Sequence, residues 1–358
     1  MTITAPQRES SVPLSGMPLV HGTLPGWAPW ATLAAGAGLG AVLAVASGLH
    51  IALAILLALL VHSVAIYAWS RSVEGARRAT DRIVTTIVSG AFLLALVPLV
   101  SVIMTVLQKG LVRFDAEFFT FSMRGIVGEG GGAYHAILGT LIITGLAAAI
   151  SIPIGLMSAI YLVEYGRGRL AKSVTFFVDV MTGIPSIVAG LFAYALFVLV
   201  FGPGVRMGLA GAVALSVLMT PVVVRSTEEM LKLVPHELRE ASYALGIPKW
   251  RTVTKIVLPT AVAGIASGVT LAIARVIGET APLLIVAGTT TAVNLNPFDD
   301  SRMATLPVFS YYSYALPGVP REPYLDRAWA AALTLILVVM ALNLVGRVIA
   351  RLFAPKSR

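Results

Sequence analysis

Residues 28–69 read APWATLAAGAGLGAVLAVASGLHIALAILLALLVHSVAIYAW, and they lie within a longer stretch, 10–70, that contains no Asp, Glu, Lys or Arg. As one straight helix that stretch would be about 90 Å long, roughly three times the hydrocarbon thickness of a bilayer. It must therefore fold back on itself. Ser47-Gly48-Leu49-His50 is the natural turn, which predicts two spans near 28–47 and 50–69. The rest of the chain follows the same pattern. Further apolar runs predict spans at 83–106, 136–163, 174–201, 208–224, 260–286 and 328–349, giving about eight transmembrane helices in an all-α polytopic membrane protein.

Composition agrees with that reading. Of 358 residues, 57% are hydrophobic and 12% are charged, about half the charged share of an ordinary soluble domain. Intrinsic disorder is excluded, and so few charges could not cover a soluble globule. The net charge of +9 has a source in membrane topology rather than in nucleic-acid binding. Eighteen of the 26 Lys and Arg residues fall in segments that alternation places inside, at Arg8, 71–82, 167–172, 225–255 and 347–358. Seven fall outside (Lys109, Arg113, Arg124, Arg206, Arg302, Arg321, Arg327), and Arg275 lies within a span. This bias predicts that both termini are cytoplasmic. Trp27, Trp30, Trp69 and Trp329 sit at predicted span ends, where amphipathic rings prefer the interface, whereas Trp250 falls in an inside loop.

The chain has no cysteine, so disulfide and thiol chemistry are absent, and its five histidines are scattered without metal-ligand spacing. No nucleophile–base or metal constellation points to catalysis. Residues 1–26, rich in Ser, Pro and Gly, read as a flexible cytoplasmic tail, 27–70 as an additional N-terminal hairpin, and 352–358 as a short C-terminal tail.

The longest inside segment, 225–259, reads RSTEEMLKLVPHELREASYALGIPKWRTVTKIVLP. Pro235 can open a short helix with Glu237 and Glu240 in its early turns, Gly246 can end it, and Pro248 can begin another. The predicted helix–glycine–helix elbow could rest in a groove on another protein. From Glu240 the order is Glu-Ala241-Ser242, three residues, Gly246, nine residues, Ile256, Val257, Leu258, Pro259. This resembles the coupling loop of bacterial ABC importer permeases, with Ser242 standing where the pattern has a second Ala. The chain has no Gly-x-x-x-x-Gly-Lys-Ser/Thr motif, so nucleotide hydrolysis is expected from a separate subunit.

Span seven contains ARVIGETAPLL at 274–284. Arg275 falls past mid-bilayer, which is costly without a partner and marks a functional position, and Glu279 is four residues on, on the same face of a continuous helix. Gly278 and Pro282 weaken the helix there, as Pro185 does in span five, and broken helices expose backbone groups near transport sites. A guanidinium suits a tetrahedral oxyanion. Asp179 cannot attract an anion, but it could hold Arg275 or sit against another base. Arg225, after Pro221, could receive an anion leaving the pathway.

The run 274–284, with IYLVEYG at 160–166, PSIV at 185–188, MLKLVP at 230–235 and TLPV at 305–308, closely resembles the phosphate-specific permeases of ABC importers, A-type subunit. That resemblance implies a six-helix permease core over 83–351, in a bacterial plasma (inner) membrane. It implies a homologous C-type permease subunit, two copies of an ATP-binding subunit using ATP and Mg, and an external phosphate-binding protein as partners. It associates Arg275 and Arg225 with the phosphate pathway. No nucleic acid, resident cofactor or metal is expected. Two other readings are open: a permease for another oxyanion such as sulfate or molybdate, and a proton-driven secondary transporter with Asp179 and Glu279 as the relay. The coupling-loop pattern argues against the second.

Overall fold

The computed structural model describes residues 22–48 and 50–353. The tail expected over 1–26 therefore lies largely outside the described residues, as do Leu49 of the first turn and the end of the C-terminal tail. Within them the chain is helical, and no strand occurs among the described residues.

The helices are α1 (Ala28–Ser47), α2 (Ile51–Val73), α3 (Ala76–Gly110), α4 (Ala116–Thr120), α5 (Tyr134–Ile160), α6 (Gly168–Thr182), α7 (Ser186–Phe201), α8 (Gly208–Lys232), α9 (His236–Ala244), α10 (Lys249–Thr252), α11 (Leu258–Val276), α12 (Ala281–Val286), α13 (Leu306–Ala315) and α14 (Glu322–Phe353). Two π-helical turns, Tyr161–Tyr165 and Val253–Val257, extend α5 at its end and join α10 to α11. Among the described residues, seven helices are long and apolar enough to cross a membrane. The pair α6 and α7, bent by 110°, brings the total to eight if it counts as one span.

This is a correction to span five, which the apolar run at 174–201 presents as one helix. Pro185 has no N–H to continue the ladder and restricts Ile184 before it, so α6 stops at Thr182 and α7 restarts at Ser186. Span seven is interrupted for a similar reason: α11 stops at Val276 and α12 begins at Ala281 with Pro282 in its first turn.

The chain divides into two compact units, 1–102 and 103–358. In the first, α1 and α2 pack closely. A Cβ at Gly40 would lie 2.7 Å from the Ala54 carbonyl oxygen, so only glycine permits that approach. Thr32 Oγ1 and His62 Nδ1 are 2.9 Å apart between the same helices, which satisfies both buried groups. At the foot of this hairpin the buried Glu74 carboxylate accepts from the Leu24 amide (2.8 Å), the Ser70 hydroxyl (2.7 Å) and the Arg82 guanidinium (2.6 and 2.9 Å). The Arg82 bond outweighs burial and, with the other donors, holds the Glu74 pKa down at about 2.

In the second unit α5 and α8 form the central pair, with α11 against α8 and α14 against α11. Their core contains Ile143, Ala147, Leu215, Met219, Val223 and Val276. Small residues set the helix distances here too, since a Cβ at Gly155 of α5 would lie 2.6 Å from Val223 on α8. A second cluster, including Phe118, Ala136, Leu306 and Ala331, closes one end of the unit.

Candidate functional site

The predicted elbow is present, and its bounds follow from three residues. Pro235 precedes α9, Gly246 adopts φ +74° just after its last turn, and Pro248 precedes α10. The left-handed conformation at Gly246 would strain any residue with a side chain. The Ser242 and Thr252 side-chain oxygens, both buried, are 2.7 Å apart and tie the two arms together. Ser in place of a second Ala therefore has a structural reason. The outward side of the elbow is apolar and uncovered: Leu238, Tyr243, Leu245 and Trp250 are exposed, with Glu240 and Ala241 beside them. Ile256 and Leu258 are half-buried and Pro259 is exposed at the start of α11.

Arg239, the residue before Glu240, points the other way. Its guanidinium is buried and donates to Glu164 Oε1 through Nε (3.0 Å) and Nη2 (2.9 Å), to the Val234 carbonyl (2.6 Å) and to the Leu231 carbonyl (2.9 Å). Glu164 sits in the π-helical turn that ends α5, and its backbone carbonyl accepts from Lys249 Nζ, which also lies 4.9 Å from the Tyr165 ring centre. Both arms of the elbow are thus fastened to one turn of α5.

Beyond α10 the helix runs without interruption through the second π-helical turn into α11, from Lys249 to Val276. Arg275 is in the last turn of that rod and is exposed. No acidic side chain pairs with it among the described residues. The chain then turns: the Glu279 amide donates to the Val276 carbonyl (3.1 Å) and α12 begins two residues later. The two breaks meet in space, because a Cβ at Gly190, in the second turn of α7, would lie 2.7 Å from the Cα of Pro282.

Arg225 is on α8, in the turn after Pro221. It donates to Asp179 of α6 and to Glu228 Oε2 (2.7 Å), and Lys232 Nζ bonds Glu228 Oε1 (2.7 Å). This is a partly exposed chain of alternating charges at the elbow end of α8.

Residues 151–358 match the family described as binding-protein-dependent transport system inner membrane component. The chain is 47% identical over 285 residues to phosphate transport system permease protein PstA 1 of Mycobacterium tuberculosis strain CDC 1551 / Oshkosh, covering 79% of this chain and 92% of that one. The chain belongs to the PstA permeases of this family. The Yersinia pestis PstA is 39% identical over 293 residues, covering 80% and 94% of the two chains. Among solved structures, a bacterial alginate ABC transporter in complex with an alginate pentasaccharide-bound periplasmic protein superposes with a TM-score of 0.53. It shares 14% identity over 78% of this chain and 97% of that chain, which bears on fold alone. The chain is a multi-pass membrane permease of the ABC importer type.

In this PstA-type chain the residues singled out from sequence fall into three places. Glu240, Ala241, Ser242 and Gly246 lie on the elbow, with Ile256, Leu258 and Pro259 in the helix that leaves it. Asp179 and Arg225 come together, so the base that Asp179 meets is Arg225 and not Arg275. Arg275 and Glu279 are not on one helix face, as their four-residue spacing suggests, because α11 ends between them at Val276, two residues before Gly278. Glu164, Arg239 and Thr252 are the residues that sequence reasoning missed. The signal was present in Glu164, an acid inside the apolar IYLVEYG run that has to find a buried cation.

Proposed function

We propose that this chain is the transmembrane permease subunit of an ATP-driven inorganic phosphate importer, forming half of the translocation pathway. Its partners in this reading are a homologous C-type permease subunit, two ATP-binding subunits that use ATP and Mg, and an external phosphate-binding protein. The setting is the bacterial plasma membrane, with both termini and the elbow on the cytoplasmic side. The chain itself performs no covalent chemistry.

One observation carries the mechanism. The exposed elbow is the base of the same continuous helix that presents Arg275 at its other end. At 1.5 Å per residue that helix is about 40 Å long, so its two ends lie on opposite sides of the bilayer core. ATP-driven closure of the ATP-binding subunits pushes on the elbow, and the rod carries the displacement to Arg275. Arg275, exposed and without an acid partner among the described residues, supplies charge to an oxyanion in the pathway shared with the second permease subunit. Arg225 is already paired with Asp179 and Glu228, so it takes an anion only by exchanging those partners. The 47% and 39% identities to chains named as phosphate permeases support phosphate as the substrate.

The test is phosphate uptake by the assembled complex in vesicles, with sulfate and molybdate as competitors. Arg275→Gln in a complex that still assembles abolishes uptake. Full uptake by that variant overturns the role of Arg275. Transport of sulfate or molybdate in preference to phosphate overturns the substrate, and uptake by this chain alone overturns the division of labour.

A further inference from the structure

The loop after α12 holds a cluster of cationic and hydroxyl side chains that the pathway above does not use. The Met207 amide donates to the Val286 carbonyl (3.1 Å) and the Leu209 amide to the Pro297 carbonyl (2.8 Å). The loop is thereby fixed at the first turn of α8, the end opposite the elbow. Its two ends are joined, since the Met303 amide donates to the Ala287 carbonyl (3.1 Å). Asn294 Nδ2 bonds the carbonyls of Ser301 (3.4 Å) and Arg302 (3.3 Å), which folds Arg302 back toward Gly288.

Arg206 and Arg302 pass over that glycine together. A Cβ at Gly288, whose φ is +67°, would lie 3.2 Å from Cδ of Arg206 and 3.3 Å from Cδ of Arg302. Neither guanidinium has an ion-pair or side-chain hydrogen-bond partner among the described residues. Two acids lie close by without pairing to either guanidinium: Asp300 Oδ1 accepts from the Arg206 backbone amide (3.2 Å) and Asp299 Oδ1 from Asn296 (2.6 Å). Thr289, Thr290, Thr291, Ser301 and Arg302 line a cavity of about 630 Å³ at the same place.

The two side chains run past one glycine and Arg302 lines the hydroxyl-rich cavity beside it, so an anion held there would offset their like charges. We propose that Arg206, Arg302 and the hydroxyls of Thr289, Thr290, Thr291 and Ser301 form a capture subsite for a tetrahedral oxyanion, reached before the one at Arg275. Guanidinium forks and hydroxyl donors together match the oxygens of such an anion, and a positive mouth raises its local concentration. The assignment rests on the reading of the chain as an oxyanion permease. It deepens that reading by naming where the anion is first held.

The test uses the full complex in lipid vesicles and inorganic phosphate as the probe. Phenylglyoxal modification of each arginine is followed by mass spectrometry in phosphate and in chloride at equal ionic strength. Phosphate should slow modification of Arg206 and Arg302 by about threefold or more, and leave the exposed Arg124 and Arg321 unchanged. The same protection should persist in Arg275→Gln. In uptake assays the double variant R206Q/R302Q should raise the half-saturating concentration about tenfold, and R206K/R302K, which keeps the charge, should recover most of it. Equal modification in phosphate and chloride overturns the subsite. So does a loss of receptor-stimulated ATP hydrolysis in the double variant when the parent complex shows no phosphate protection, because that pattern describes a docking contact. A complex that imports phosphate without protecting these arginines refutes the subsite alone. One that imports and is protected by sulfate, and not by phosphate, refutes the substrate while the subsite stands.

Discussion

Glu164→Gln isolates the fastening of the elbow. The substitution preserves shape and leaves Arg239 buried, with the Leu231 and Val234 carbonyls still bound but no carboxylate opposite. Removing one member of a buried pair costs about 3–5 kcal/mol. The two surviving carbonyl bonds place this case at the lower end, about 3 kcal/mol, which is roughly a 150-fold increase in local opening. Hydrogen exchange of the peptide spanning 233–257 in the assembled complex reads that quantity directly. The increase should be confined to the elbow and the end of α5, and transport per ATP hydrolysed should fall with it. The double variant Glu164→Gln/Arg239→Gln removes the uncompensated cation, so it should be less damaged than the sum of the single changes. Exchange in Glu164→Gln within about twofold of the parent chain would show that the backbone carbonyls alone hold Arg239, and that the pair is not the fastening.

Three further outcomes follow from packing, backbone and charge. Gly190→Ala puts a methyl 2.7 Å from the Pro282 Cα, so α7 and α12 must separate; a loss of about 1–3 kcal/mol should appear as a lower Tm of the purified complex. Gly246→Val should uncouple ATP hydrolysis or block assembly, and Gly246→Asn should be milder, because the space around Gly246 is open and the strain lies in its φ of +74° alone. Glu74 has a folded pKa of about 2, below its ordinary value, so its stabilisation is complete above the ordinary carboxylate range and is lost as pH falls toward 2. Hydrogen exchange at the α2–α3 junction, corrected for intrinsic rates, should be flat from about pH 8 to pH 5 and rise only below that.

Much of this architecture was legible because lipid imposes a simple rule: apolar length becomes a span. That rule locates the spans and says nothing of their straightness, which is why span five read as one helix although Pro185 bends it by 110°. Local chemistry was equally readable in the elbow, where Pro235, Gly246 and Pro248 act on their immediate neighbours. Pairings between distant residues were not. Arg239 and Glu164 lie 75 positions apart and nothing local connects them. The i,i+4 relation of Arg275 and Glu279 failed because the same Gly278 and Pro282 that mark a break also destroy the helix on which the relation depends.

The π-helical turn at Val253–Val257 offers a test of how the elbow is joined to the pathway. Its signature bond runs from the Leu258 amide to the Val253 carbonyl, five residues back, so this turn holds one residue more than an α-helical turn would. Deleting a residue from an ordinary helix rotates everything beyond it by about 100°. Deleting Thr254, which is exposed, should instead let the turn relax to α-helical geometry, keeping the elbow and Arg275 on nearly their present faces. Deleting the exposed Ser267, further along α11, has no such reserve and should swing Arg275 away from its present face relative to the elbow. The comparison is phosphate uptake and ATP hydrolysis in complexes matched for assembly. The Thr254 deletion should keep a measurable fraction of coupled transport, and the Ser267 deletion should keep none. Equal loss in both would mean that the length of the connection, and not the rotational register between elbow and Arg275, is what transport requires.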